Sequence, residues 1–125
     1  MDSRLEQFTD QKYINLETYR KDQTPVKTPV WFIINNDRIH ITTKETTGKV
    51  KRLRNNQTAR IAICSIKGDI KSNWVNVDVQ KIIQESDVEK IIKLRKKKYG
   101  FSARLTGLFS SQKGNPIVYS IKLSD

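Results

Sequence analysis

The sequence predicts a mainly β domain with short flanking helices, of the small β-barrel kind. Three observations predict it. Five or six short segments are rich in β-branched and aromatic residues or alternate apolar with polar. Turn residues join most of them as hairpins. Stretches with helical spacing are few and short, so helices can only flank the strands. At 125 residues the chain reads as one domain, 1–125.

The elements follow in order. Ser3 and Glu6 have capping-box spacing, and Leu5 and Phe8 share one side of a short first helix. Tyr13-Ile14-Asn15-Leu16-Glu17-Thr18-Tyr19-Arg20 alternates as a first strand, and Asp22-Gln23 turns the chain. Residues 24–34 read as a second strand. Pro25 and Pro29 within it call for an edge, a bulge or a ligand-facing position, because proline cannot donate to a ladder. Asn35-Asn36-Asp37 is a hairpin turn, leading to a third strand at 39–43. Residues 46–56 form a helix with Val50 and Leu53 as its apolar pair and Thr46 or Thr47 as N-cap. A fourth strand at 60–65, a turn at Gly68-Asp69 and a fifth strand at 74–83 come next. Ser86 and Glu89 make a second capping box. The helix after it turns Val88, Ile91 and Ile92 inward and Lys93, Arg95, Lys96, Lys97 and Lys98 outward. A further short helix at 99–109 and a last strand at 116–123 complete the chain.

Composition narrows the function classes. No stretch approaches the roughly 20 apolar residues of a membrane helix, and the first ten residues lack the basic start and apolar run of a secretory signal. Cys64 is the only cysteine, so no intramolecular disulfide forms, as expected of a cytoplasmic protein. Twenty-four Lys and Arg against 13 acids give +11, a field that favours anionic partners. Nucleic acid is not the expected one, since the aromatics do not cluster among the basic residues as stacking platforms would.

Chemistry-bearing residues concentrate around the first full helix. A helix N-terminus offers unpaired N–H groups and a partial positive charge. Gly48 lets an anion approach the backbone, and Lys49 can lean back toward it. On a helical wheel Lys49 and Arg54 flank the Val50–Leu53 face, while Lys51 and Arg52 point more toward solvent. The same residues would also make an ordinary capped helix with a solvated basic face, and the motif alone does not choose. His40, between Ile39 and Ile41, points to the strand face opposite both and has no metal-ligating cluster beside it in sequence. Cys64, in an apolar run, reads as a buried small hydrophobe. No nucleophile elbow, phosphate-binding P-loop or HExxH pattern is present.

The run Thr28-Pro29-Val30-Trp31-Phe32, then Thr42-Thr43, then Gly48-Lys49-Val50-Lys51-Arg52-Leu53-Arg54-Asn55-Asn56 resembles the split-barrel superfamily that includes pyridoxamine-phosphate oxidase. More narrowly it is similar to the PPOX-class oxidoreductases dependent on coenzyme F420. The first strand, Trp74-Val75 and Lys98-Tyr99-Gly100-Phe101 fit the same pattern, so the resemblance spans nearly the whole chain.

That resemblance implies a six-stranded split β-barrel, homodimeric, with a cofactor at the subunit interface. The cofactor would be coenzyme F420 or, alternatively, flavin mononucleotide (FMN). Thr42, Thr43, Thr47, Gly48 and Lys49 would contact its phosphate, with Arg52, Arg54 and Lys51 as weaker contributors. A serine is common in related members where Gly48 stands here. Thr28, Pro29 and Val30 would line the ring system, and Trp74, Tyr99, Phe101 and Arg104 would be contacts of the second subunit, Trp74 counting among the cofactor-binding residues. The implied activity is hydride transfer between the cofactor and a small organic substrate, with no general acid or base identifiable. A non-catalytic flavin, deazaflavin or haem carrier or sensor on the same fold is the alternative.

Overall fold

The computed structural model describes residues 2–100 and 115–124. The helix expected at 99–109 lies, beyond Gly100, outside the described residues, as do Phe101 and Arg104.

Among the described residues seven antiparallel strands form one sheet: β1 (Ile14–Tyr19), β2 (Pro25–Val30), β3 (Ile33–Asn35), β4 (Arg38–Lys44), β5 (Thr58–Ile63), β6 (Val75–Lys81) and β7 (Pro116–Leu123). Their order is β2-β1-β5-β6-β7-β4-β3. The two edge strands are consecutive in the chain, separated only by Trp31 and Phe32. One segment therefore pairs first with β1 at one edge and then with β4 at the other, which curls the sheet into a barrel. This is why seven strands are found where six were expected: residues 24–34 form one extended segment that changes partner midway.

Side-chain alternation continues through that change. Val30, Phe32 and Ile34 pack with the barrel interior, whereas Trp31 and Ile33 belong to an outer cluster. The interior is filled by Ile14, Leu16, Ile39, Ile41, Ile61, Val77, Val79, Tyr119 and Ile121. Leu5 and Phe8 join this core from an N-terminal 3-10 turn (Ser3–Phe8), and Val50 and Leu53 from helix α1 (Gly48–Asn55). Helix α2 (Glu85–Tyr99) packs outside the barrel, over β3, β4 and β7, through Ile91 and Tyr99 against Trp31, Ile33 and Val118. None of the helices among the described residues is long and apolar enough to cross a membrane.

Local signals explain most boundaries. Asn36 and Asp37 both have positive φ, 51° and 60°, as a tight hairpin between β3 and β4 requires. Pro25 and Pro29 lie on edge strand β2, four apart, so their missing N–H groups fall on the same side. Three expectations are corrected. Asp2, not Ser3, caps the first turn, its carboxylate accepting the Arg4 N–H at 2.9 Å. Helix α2 starts earlier, with Gln84 as N-cap, so Ser86 and Glu89 lie inside it and form no capping box. Glu85 and Asp87 in its first turn complement the helix dipole instead. Finally, α2 does not turn all its cations to solvent. Arg95 is half-buried, its guanidinium pushed down to about 10 by that burial, and Lys98 folds its ammonium onto Phe32.

Candidate functional site

The partner change at Trp31–Phe32 leaves a gap in the barrel wall. β3 pairs with β4 only as far as Ile33↔His40, while β2 pairs with β1 from Val30 backward. Residues 41–44 of β4 therefore lack a partner strand on one side, and so does β2 at Thr28, Pro29 and Val30; this break in pairing, with those two edges as its lips, is the slot. Helix α1 packs on both β1 and β4, across the end of that slot. Thr43, Thr47, Gly48 and Lys49 are thus brought to one place by a strand, a tight turn and the helix start.

The N-terminus of α1 is built in the way an anion site needs. Thr47 is the N-cap, but its hydroxyl makes no capping bond to the helix backbone; it lies 3.0 Å from the Thr43 hydroxyl. No acidic residue occupies the first turn. Instead two cations gather there. The Arg52 guanidinium folds back along the helix, its Nη1 2.7 Å from where a Gly48 Cβ would stand, and its Nε donates to Thr18 Oγ1 at 2.6 Å. Lys49 is half-buried and has no hydrogen-bond or ion-pair partner among the described residues. Burial and the neighbouring Arg52 both lower its ammonium pKa, burial the more. Arg52 is lowered likewise by burial and by Arg20. Cations at a helix N-terminus oppose the dipole, so this arrangement favours a bound anion.

Arg52 is the main correction to the helical-wheel reading. It turns inward, because the room above Gly48 and the Thr18 hydroxyl beyond it accept its guanidinium. Arg54 is the residue left outside, exposed in the last turn of α1, at the opposite end of the helix from the slot. Lys51 is exposed as expected. Thr18 and Arg20 carried no expectation. The available signal was Thr18 itself, a polar side chain, fully buried, in step with the inward Ile14 and Leu16.

The remaining candidates divide by strand face. Thr43 lies on the interior face of β4 with Ile39 and Ile41. Thr42 lies on the outer face with His40, in a crevice under α2 that Trp31 and Arg95 also line and that has no room for a water molecule. Its Oγ1 is buried without a hydrogen-bond partner. On β2, Thr28 and Val30 face the interior side and Pro29 the outer side, where Pro29 approaches Gly68 (φ +93°). Trp74 is not at the slot end. It sits on the outer face of the sheet with Lys27 at 5.4 Å and Arg60 at 4.9 Å from its ring. Arg60 is itself held by Glu17, 2% exposed, through bonds of 2.8 and 2.9 Å, and the Tyr19 hydroxyl donates to the same carboxylate at 2.7 Å. Lys27 takes part in this cluster, its ammonium 4.0 Å from the Glu17 carboxylate.

His40 is 6% exposed, and burial lowers its pKa, disfavouring the imidazolium. Cys64 is buried, and burial raises its thiol pKa, which makes it an inert apolar filler. Among the described residues no cluster of metal-ligating side chains occurs.

No protein-family model matches the chain, and no curated protein matches it in sequence. Solved structures do resemble it. A Listeria innocua protein provisionally assigned as a pyridoxamine 5'-phosphate oxidase superposes with a TM-score of 0.72 at 15% identity, over 99% of this chain and 93% of that one. The haem storage protein HutZ of Vibrio cholerae does so with 0.70 at 14%, over 99% and 90%. An FAD-binding protein of Mesorhizobium loti gives 0.66 at 9%, over 94% and 83%. With its edge-to-edge crossover and helix-capped slot, the chain has the split-barrel fold of the pyridoxamine-phosphate-oxidase-like proteins.

Proposed function

We propose that the chain binds a phosphorylated flavin or deazaflavin, FMN or coenzyme F420, and uses it as an oxidoreductase acting on a small organic substrate. The observation that carries this reading is the pair of cations, Lys49 and Arg52, gathered at the uncapped N-terminus of α1, with Lys49 unpaired. An anionic group with several oxygens matches that donor set: backbone N–H groups of the first turn, a guanidinium and an ammonium. Thr42, expected beside them, faces the closed crevice under α2 and is not part of that donor set.

In this reading Lys49, Arg52, Gly48, Thr47 and Thr43 hold the phosphate, and Thr28, Pro29 and Val30 lie along the ring. When bound, the cofactor supplies hydride transfer, and the protein supplies binding and orientation. A second copy of the chain closes the slot, since one barrel of this size offers only one wall to a large planar ligand. The net charge of +11 favours F420, whose phosphodiester and glutamate tail carry more negative charge than FMN. A haem carrier is the lesser reading: the only imidazole, His40, is buried under α2 and is not presented to a ligand.

Calorimetric titration with F420, FMN and riboflavin, side by side at modest salt, tests the proposal. Binding of a phosphorylated cofactor with riboflavin at least about tenfold weaker is expected, the loss of one charge-assisted contact or more. Equal affinity for FMN and riboflavin refutes the phosphate assignment, and binding of none of the three refutes the cofactor reading.

A further inference from the structure

Trp31 and Phe32 carry the chain from one sheet edge to the other. At that point the main chain has left β1 and has not yet reached β4. A buried extended segment without a ladder needs other partners for its N–H and C=O groups. The last turn of α2 provides them. The Phe32 N–H donates to the Tyr99 hydroxyl at 3.1 Å. The Phe32 carbonyl accepts from the Lys98 ammonium at 2.9 Å and lies 2.8 Å from the Tyr99 hydroxyl. The proton of that hydroxyl has a second acceptor, the Lys12 carbonyl, also at 2.8 Å. Rings reinforce the contact: Trp31 stacks on Tyr99 with centroids 4.5 Å apart and planes 7° from parallel, and the Lys98 ammonium lies 3.9 Å from the Phe32 ring centre.

Two side chains of one helix thus replace the missing ladder at one residue, and that residue follows the β2 lip of the slot by two positions. We infer that Lys98 and Tyr99 are positioning residues of the slot: they fix the crossover, and with it the distance between the Thr28–Val30 lip and the facing part of β4. The inference rests on the slot being the cofactor site. It makes α2 the element that sets the slot's width, although α2 lies outside the barrel and contributes nothing to the phosphate end.

The test uses the full chain and the variants Lys98→Met, Lys98→Arg and Tyr99→Phe, with FMN as probe. Amide hydrogen exchange without FMN reads the clamp directly. Lys98→Met and Tyr99→Phe should speed exchange across residues 31–33 by about tenfold, the loss of a charge-assisted or buried hydrogen bond. Amides of β1 and β5 should not change, and Lys98→Arg should restore protection. FMN affinity should fall by about tenfold in the first two variants and return with arginine. Its salt dependence should stay as in the wild type, because the phosphate end is untouched. Unchanged exchange at 31–33 in both variants overturns the clamp. Faster exchange with wild-type FMN affinity overturns its link to the slot. Where the wild type binds F420 and not FMN, the affinity comparison is read with F420; binding of neither would refute the cofactor reading separately, and the exchange comparison would still decide the clamp.

Discussion

Replacing Lys49 with methionine should weaken cofactor binding while leaving the empty protein at least as stable. The side chain is half-buried without a partner, and both its burial and Arg52 disfavour its charge. In the empty protein that charge is therefore a cost, and methionine keeps the aliphatic stem while removing it. The expected gain is ~0.5–1 kcal/mol, about 2–5 °C in melting temperature for a domain of this size. In the complex the balance reverses. A hydrogen bond to a charged group contributes about 1.5–3 kcal/mol, and because Arg52 stays in place the lower half of that range applies, about tenfold to fortyfold in affinity.

The assay pairs melting curves of the empty protein with titrations of FMN and riboflavin at two salt concentrations. FMN should lose affinity and part of its salt dependence, and riboflavin should lose neither. Equal losses for the two ligands would refute the phosphate assignment. Destabilisation of the empty variant by more than about 1 kcal/mol would show that Lys49 serves the fold, contrary to its lack of partners.

Three further outcomes follow from the same geometry. Gly48→Ala should displace Arg52, since the new methyl group meets Nη1 at 2.7 Å; the guanidinium is a flexible end and can move, so stability should change little while FMN affinity falls severalfold, measured by melting and titration. The Glu17 carboxyl is held below its ordinary value of 4.5, chiefly by the Arg60 bonds, so its contribution is complete above that value and is lost as pH falls through its lower folded-state pKa; Glu17→Gln should flatten that part of the acid limb in urea melts. Lys98 is depressed from 10.5 to about 8 by burial, so the unfolded chain binds more protons between those values, and stability should rise with pH from about 8 to 10.5 in the wild type but not in Lys98→Met.

Much of the fold was legible because alternation is a local property. Ile14 and Leu16, Val77 and Val79, and the Asn36-Asp37 turn each announce their role within a few residues. The division of residues 24–34 was not legible in that way. Alternation runs unbroken through Val30, Trp31 and Phe32, and nothing in the segment says that its partner strand changes; that depends on where β1 and β4 end up, which is a long-range fact. The site divides similarly. Thr47, Gly48 and Lys49 lie within one turn of a helix start, so sequence spacing alone groups them. The inward turn of Arg52 depends on Thr18, 34 positions earlier. Trp74 was singled out only by the resemblance, and its packing against Lys27 and Arg60, which puts it on the outer face, joins residues far apart in the chain.

The crossover that makes the slot also explains why a basic helix start ended up beside it. A barrel closed by a single strand serving both edges must leave unpaired main chain on each lip, and water or a ligand has to satisfy those groups. α1 caps the end of that opening, so its own unpaired N–H groups open into the same space. The lips expose carbonyls as well as N–H groups, Pro25 and Pro29 having no N–H to offer, whereas the start of α1 offers N–H groups alone, and Lys49 and Arg52 add positive charge at that end. Nothing in this arrangement selects a ring system, which fits a fold whose members include an FAD-binding protein and a haem storage protein. Selection at the anionic end is a different matter: a neutral ligand leaves Lys49 buried and unpaired, so discrimination between phosphorylated and unphosphorylated ligands should exceed discrimination between rings.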